Sequence, residues 1–315
     1  MIDGRDIPGD DGSTAPQADI PGPGAGQATG AGQGVAMAGK APAGGIRIGH
    51  FEFLNGYPLY YGLEKNEGWG CFELVRGVPT YLNGLLLAGE LDISPVSSIE
   101  YAAHAADLIL LPSISITADG AVDSIRLISR KPIEAVRTVA LTGQSATSVV
   151  LLKILLSQRY GLEPEYSPLA GSVAEALDGG SDAVLLIGDQ ALEAFYRQEW
   201  ELSYDLGELW KELTGLPMVF AVWAVRRRFF QERPDETLEF QDRMLYSLDY
   251  CRGHWDEVVE AAAAVYPFER ELLRSYFGKL RYDLGAEFRR GLEEFYRRAV
   301  AVGAAPEAPH LEFIR

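Results

Sequence analysis

The chain has 315 residues, 47% of them hydrophobic, and a formal net charge of −17. That is apolar material for two ordinary domains or one large one, and the acidic balance disfavours nucleic-acid and anionic-membrane partners. Two cysteines without CxxC spacing give no zinc framework and fit a reducing compartment, and no apolar run approaches the ~20 residues that span a bilayer. The four histidines are scattered; His50-Phe51-Glu52 could set two ligands on one strand face but offers no third, so no metal is expected.

Residues 1–43 are rich in Gly, Ala, Pro, Gln and Asp and read as a disordered tail. Their glycines are not flanked by a strand and a helix, so they are no nucleotide fingerprint. The segment lacks the basic start and apolar core of a signal peptide, which predicts a cytoplasmic protein, and Met37 is a candidate start. From Ile46 the pattern alternates. Strands are expected at Ile46–Phe53, Phe72–Val78 and Leu91–Val96, with a further strand region at Leu108–Leu111 and Ile114–Ile116, and helices at Pro58–Lys65, Thr80–Ala88 and Ser98–Ala106. This βαβαβα order predicts a mostly parallel sheet with helices on both faces.

A second series begins near Val122. Strands are expected at Ser124–Ser129, Thr138–Leu141, Glu165–Leu169 and Ala183–Ile187, with helices at Ser145–Arg159, Ser172–Leu177 and Gln190–Gln198. A long apolar strand follows at Pro217–Val225, and the rest reads as helical. Two series imply two lobes joined by crossings, expected near Thr117–Val122 and Val222–Arg228. The expected division is therefore 44–118 plus 228–315 for the first lobe and 119–227 for the second.

Two serine-rich turns stand out, Gly89–Ser98 and Leu141–Ser148. Each follows a short apolar run and opens a helical pattern. Free N–H groups at a helix start, together with hydroxyls, make a neutral cradle for a carboxylate. Two such cradles suggest a ligand with two acidic ends in a cleft, although serine is also an ordinary helix cap. Ligands of open α/β sheets bind at the carboxyl ends of strands. Asn55, Ser97, Ser98, Ser145, Thr147, Ser148 and Asp189 fall at such ends. Ser124 sits where the chain enters the second lobe. Each has a plain structural alternative: a turn for Asn55, a surface strand for Ser124, a helix cap for Asp189. His50 reads as a strand histidine rather than a base. Tyr57, Tyr60 and Tyr61 read as core or rim with a pocket wall as the alternative. No nucleophile elbow, phosphate loop or dinucleotide fingerprint occurs. The site is rich in hydroxyls and amides and poor in acids and bases, which points to binding and orientation by hydrogen-bond donors.

One ordered series of motifs carries a resemblance. It runs through Asn55-Gly56-Tyr57-Pro58-Leu59, Gly77-Val78-Pro79, Gly89–Tyr101, Ala118-Asp119-Gly120 and Val122 with Ser124. It continues through Ser145-Ala146-Thr147-Ser148, Ile187–Leu192, Asp205-Leu206-Gly207 and Thr214–Pro217 followed by Val219–Trp223. Over about Ile46 to Arg227 the chain resembles the chorismate dehydratases of the futalosine route to menaquinone. The resemblance implies an α/β, two-lobed fold like the type II periplasmic binding proteins, with the ligand cleft between lobes, in a cytoplasmic enzyme. It implies a hydro-lyase converting chorismate to 3-[(1-carboxyvinyl)oxy]benzoate and water, without cofactor or metal. It also implies that Asn55 and Ser124 serve the reaction and that the serine-threonine turns, Ser97, Ser98, Ser145, Thr147 and Ser148, bind the carboxylates; Asp189, at its strand end, is a further candidate for substrate binding. The family commonly shows tyrosine where Phe53 stands here. The partner expected is chorismate, with no nucleic acid and no membrane; the oligomeric state is open. Two alternatives stay open: a small-carboxylate solute-binding protein without catalysis, and the naphthoate-forming synthase of the same pathway.

Overall fold

The structure is a computed structural model that describes residues 45–65, 69–70 and 72–315. The tail expected over 1–43, and Met37 within it, lie outside the described residues. The chain begins with β1 (Ile46–His50), a 3-10 turn at Leu54–Gly56 and α1 (Tyr57–Lys65). β2 (Phe72–Arg76), α2 (Pro79–Ala88), β3 (Ile93–Ser97), α3 (Ser98–His104) and the long β4 (Leu108–Ala118) follow. Local chemistry sets these bounds. Pro79 begins α2, where a missing N–H costs nothing. Gly89 ends it in a left-handed conformation, φ 80°, from which its N–H reaches back to the carbonyls of Leu85 and Leu86. Asp92, three residues on, is buried and accepts from Arg47 and Arg226, both at 2.7 Å. It ties the starts of β1 and β3 to the end of a later strand, so the acidic residue of the first serine-rich turn holds the fold.

The second series comprises β5 (Ile125–Ser129), β6 (Thr138–Leu141), α4 (Ala146–Tyr160), β7 (Glu165–Pro168), α5 (Val173–Asp178) and β8 (Ala183–Ile187). α6 (Gly188–Tyr196), β9 (Leu202–Asp205) and α7 (Leu206–Thr214) complete it. Ser145 caps α4, accepting from the Ser148 N–H, and Ser172 with Glu175 forms a capping box on α5. Neither β9 nor α7 is among the expected elements, although α7 carries Leu206, Leu209, Trp210 and Leu213 at helical spacing. Asp205 at their junction is the cap that makes the helix, accepting from the N–H groups of Gly207 and Glu208. β10 (Met218–Arg226) then returns, followed by α8 (Arg227–Glu232), α9 (Pro234–Gly253), α10 (Trp255–Val265), α11 (Arg270–Lys279), β11 (Leu280–Arg281) and α12 (Ala286–Ala301).

Among the described residues the strands form two sheets, in the orders β2-β1-β3-β10-β4-β11 and β7-β6-β8-β5-β9. This corrects two expectations. β10 lies in the first sheet, antiparallel to both β3 and β4, so the chain returns before Met218 and not near Val222–Arg228. Nine residues that are nearly all buried fit a strand with a neighbour on either side, and β10 has β3 and β4. The sheets are also mixed rather than mostly parallel. β1 pairs in parallel with β2 and β3, and β6 with β7 and β8, but β10, β11 and β5 make antiparallel pairs. The core carries Trp210 and Trp223, both fully buried, and the Trp210 indole donates to the Pro217 carbonyl at 3.1 Å where the chain returns.

Candidate active site

The strand ends of the two sheets converge on one cavity. Asn55, Ser97, Ser124, Ser145 and Ser148 line it, with apolar walls that include Phe51, Phe53, Ile116, Ile187 and Phe220. The cavity measures about 60 Å³. That is small beside the roughly 300–1,000 Å³ of pockets for drug-sized ligands, so a substrate of that size needs more room than this conformation leaves. Of the described residues lining the cavity, none is an acid, a lysine, an arginine or a histidine. What faces the space is five neutral polar side chains on an apolar, partly aromatic surface.

Each polar group is placed by its element. Asn55 lies in the 3-10 turn after β1, and its Oδ1 is buried without a hydrogen-bond partner. A buried amide oxygen with no partner is costly, roughly 1–3 kcal/mol. Ser97 ends β3 at the cap position of α3 yet makes no capping hydrogen bond. Ser145 and Ser148 share a hydroxyl contact of 2.9 Å at the start of α4. Ser124 Oγ lies 2.9 Å from the Tyr276 hydroxyl.

Three residues expected beside these face elsewhere. The Ser98 hydroxyl donates to the Val219 carbonyl at 2.8 Å and locks α3 to β10. Thr147 Oγ1 accepts from the Ile99 N–H at 3.2 Å, so it satisfies one orphan donor of the helix facing it. Asp189 Oδ1 accepts from the Leu54 N–H at 3.1 Å, joining α6 of the second series to the turn that carries Asn55. Sequence position put these residues at the correct strand ends; it could not say which side of the helix start each faces.

Burial pushes the Asp189 carboxyl up to about 6, against the pull of the Leu54 N–H. A carboxyl raised in the folded state favours the protonated form there. Its contribution is full below the ordinary value near 4 and is lost as pH rises through about 6. The penalty at pH 7 amounts to roughly 2–3 kcal/mol, at about 1.4 kcal/mol per pH unit. Asp189→Asn keeps an acceptor for Leu54 and removes the charge. It is expected to raise Tm at pH 7 and to match the wild type near pH 4. Melting curves of both proteins between pH 4 and 8 check this, and parallel curves would refute it.

His50 is buried, stacks on Tyr60 at 4.0 Å between ring centroids, and is pushed down to about 3 by burial and by Arg76. It stays neutral and does not line the cavity. Tyr57, Tyr60 and Tyr61 also lie outside the lining. Tyr61 instead donates to Glu257 at 2.9 Å. Phe53 is a wall, and its ring lies over Gly188, where an added β carbon would meet Phe53 Cδ1 at 3.0 Å. Phe53 thus packs its aromatic ring on a glycine at φ 61°.

The family model for menaquinone biosynthesis matches residues 46–301. The chain belongs to this menaquinone-biosynthesis family. A chorismate dehydratase of Thermus thermophilus is 36% identical over 282 residues, covering 83% of this chain and 96% of the relative. A 1,4-dihydroxy-6-naphtoate synthase of the same organism is 24% identical, covering 85% and 99%. In fold, this menaquinone-biosynthesis protein is similar to a protein from Archaeoglobus fulgidus, with TM-score 0.66, 21% identity, and coverage of 82% and 97%. It is also similar to the periplasmic aliphatic sulphonate binding protein SsuA from Escherichia coli, with TM-score 0.59, 16% identity, and coverage of 84% and 89%. The α/β fold with two sheets is therefore of the periplasmic-binding-protein kind. No helix among the described residues is long and apolar enough to cross a membrane.

Three residues around the cavity were not expected from sequence: Asp123, Tyr276 and Lys279. Asp123 has φ 60° and is buried, a rare combination for a residue with a side chain. Tyr276 and Lys279 lie some 150 residues further along the chain. No local pattern could bring them to Ser124.

Proposed function

We propose that the protein is a chorismate dehydratase, a hydro-lyase that converts chorismate to 3-[(1-carboxyvinyl)oxy]benzoate and water. The observation that carries the reading is the character of the cavity: neutral hydroxyls and an amide on apolar walls, in a chain 36% identical to a chorismate dehydratase. Chorismate has a carboxylate on its ring and another on its enolpyruvyl ether. Ser97 on the β3 side and Ser145 with Ser148 at the start of α4 would hold them, with the α4 dipole favouring negative charge. The apolar walls accept the ring.

The reaction breaks the bond from the ring to its hydroxyl and removes the hydrogen on the neighbouring carbon that bears the ether. Hydroxide and proton leave as water, and the ring becomes aromatic. This strongly downhill step asks less for acid–base power than for choice, because the same substrate can rearrange or lose pyruvate. Holding it in one orientation in a closed cleft supplies that choice. Asn55 and Ser124 would hydrogen-bond the reacting region and stabilise the departing hydroxyl. With no titratable side chain among the described residues of the cavity wall, the proton passes to a carboxylate of the substrate itself and from there to the departing hydroxide, which leaves as water.

Incubation with chorismate, followed by mass and absorbance, tests the reading. The expected product has lost one water and shows a new aromatic absorbance. Chorismate recovered unchanged would overturn it.

A further inference from the structure

Ser124 follows a strained turn. Its N–H donates to the Val122 carbonyl at 2.7 Å, closing a three-residue turn with Asp123 at φ 60° in the centre. Such turns are rare, because the β carbon of the central residue is crowded. They persist only where the surroundings hold them. Here Asp123 Oδ2 accepts from Lys279 Nζ at 2.5 Å and from the Tyr196 hydroxyl at 3.0 Å, and the Asp123 N–H donates to Asp205 at 2.7 Å. The Ser124 carbonyl in turn accepts from the Gly188 N–H at 2.8 Å.

α11 reaches this turn twice. Tyr276 and Lys279 are three residues apart and share one face of the helix. Lys279 holds Asp123, and Tyr276 meets Ser124 Oγ at 2.9 Å. A phenol is far more acidic than an aliphatic hydroxyl, so the tyrosine is the donor in this pair. A serine hydroxyl has one proton and two lone pairs. With one lone pair engaged by Tyr276, the serine keeps its proton for another acceptor. Its backbone is fixed by the turn, and its side chain lines the cavity.

We propose that Tyr276 is a positioning residue for Ser124: it engages a lone pair of Ser124 Oγ, and with Lys279 holding the turn it directs the serine's own proton into the cavity. Ser124 thereby acts as a donor to the substrate oxygen. The inference rests on the reading of the cavity as the chorismate site.

A double-mutant cycle tests it, with kcat, KM and Tm measured for the wild type, Tyr276→Phe, Ser124→Ala and the double variant. Ser124→Ala is expected to lower kcat about a hundredfold, as loss of a donor to developing charge does. Tyr276→Phe is expected to lower kcat about tenfold with KM changed less than about twofold, and to add nothing in the Ser124→Ala background. A loss of the same factor in both backgrounds, or a change in KM alone, would overturn the proposal. Lys279→Gln provides a second route that leaves the core intact. It should lower kcat severalfold, again only when Ser124 is present, and Lys279→Arg should restore most of it. A wild type that binds chorismate but leaves it unchanged sinks the proposed function; the cycle is then read on Kd, where the same non-additivity is expected and additive losses would refute the positioning role. A wild type that neither binds nor converts chorismate overturns both.

Discussion

Asn55→Ala is expected to lower kcat for chorismate about a hundredfold or more while leaving Tm at or above that of the wild type. The two halves of this result come from one observation. Asn55 Oδ1 is buried at the cavity wall and has no protein partner among the described residues. Removing an unsatisfied polar group takes away a penalty of roughly 1–3 kcal/mol and leaves a small gap at a cavity that already exists, so the fold has little to lose. The chemistry has much to lose, because an amide both donates and accepts and can bridge to a departing hydroxyl. Asn55→Asp separates shape from charge. It keeps the outline and adds a negative charge facing a dianion in a site of low polarity, so KM should rise at neutral pH in addition to the loss in kcat. Steady-state kinetics with melting curves on the same preparations checks all three. Near wild-type kcat in both Asn55→Ala and Ser124→Ala would remove them from the reaction.

Much of the architecture was legible because it is local. The apolar run Ala183–Ile187 is β8 to the residue, Pro79 and Gly89 bracket α2, and Ser145 caps α4. The strand-end rule then gathered polar candidates, of which Asn55, Ser97, Ser145 and Ser148 line one cavity together with Ser124. What was not legible depends on direction and distance. Ser97 and Ser98 are neighbours, yet one lines the cavity and the other bonds to β10. A one-residue step at the start of a helix turns a side chain by about 100°, and sequence patterning gives boundaries no better than about ±2 residues. The sheet that β10 joins is hidden for a related reason. An apolar strand announces that it is buried, not which sheet buries it. The grip of α11 on Ser124 spans 152 residues of sequence and has no local signature at all.

Asp205→Ala is expected to cost about 3–5 kcal/mol of stability, the largest loss for any single change at the crossing. Its carboxylate is 3% exposed and serves two segments at once. It caps α7 through the N–H groups of Gly207 and Glu208, at 2.9 and 3.1 Å. It also receives the N–H groups of Val122 and Asp123, at 3.1 and 2.7 Å, where the chain passes from one sheet to the other. Arg126 Nη1 lies 3.3 Å away, its guanidinium also buried and stacked 3.9 Å over the Phe195 ring. Burial pushes the Asp205 carboxyl up, and the amides and Arg126 pull it back. Alanine would leave four amides without their acceptor and the buried Arg126 without its carboxylate, holding only the Ser203 hydroxyl and carbonyl. The stranded cation can be tested by itself: Arg126→Met removes it, so the double variant should be more stable than the sum of the single losses requires. Chemical denaturation of the four proteins measures this. A loss below about 1 kcal/mol for Asp205→Ala would mean that water replaces the carboxylate, which the burial of its partners argues against. The same variant carries a kinetic signature. Without Asp205 the strained turn at Asp123 loses one of its holds, so kcat should fall even at temperatures where the protein is folded, and KM should change less.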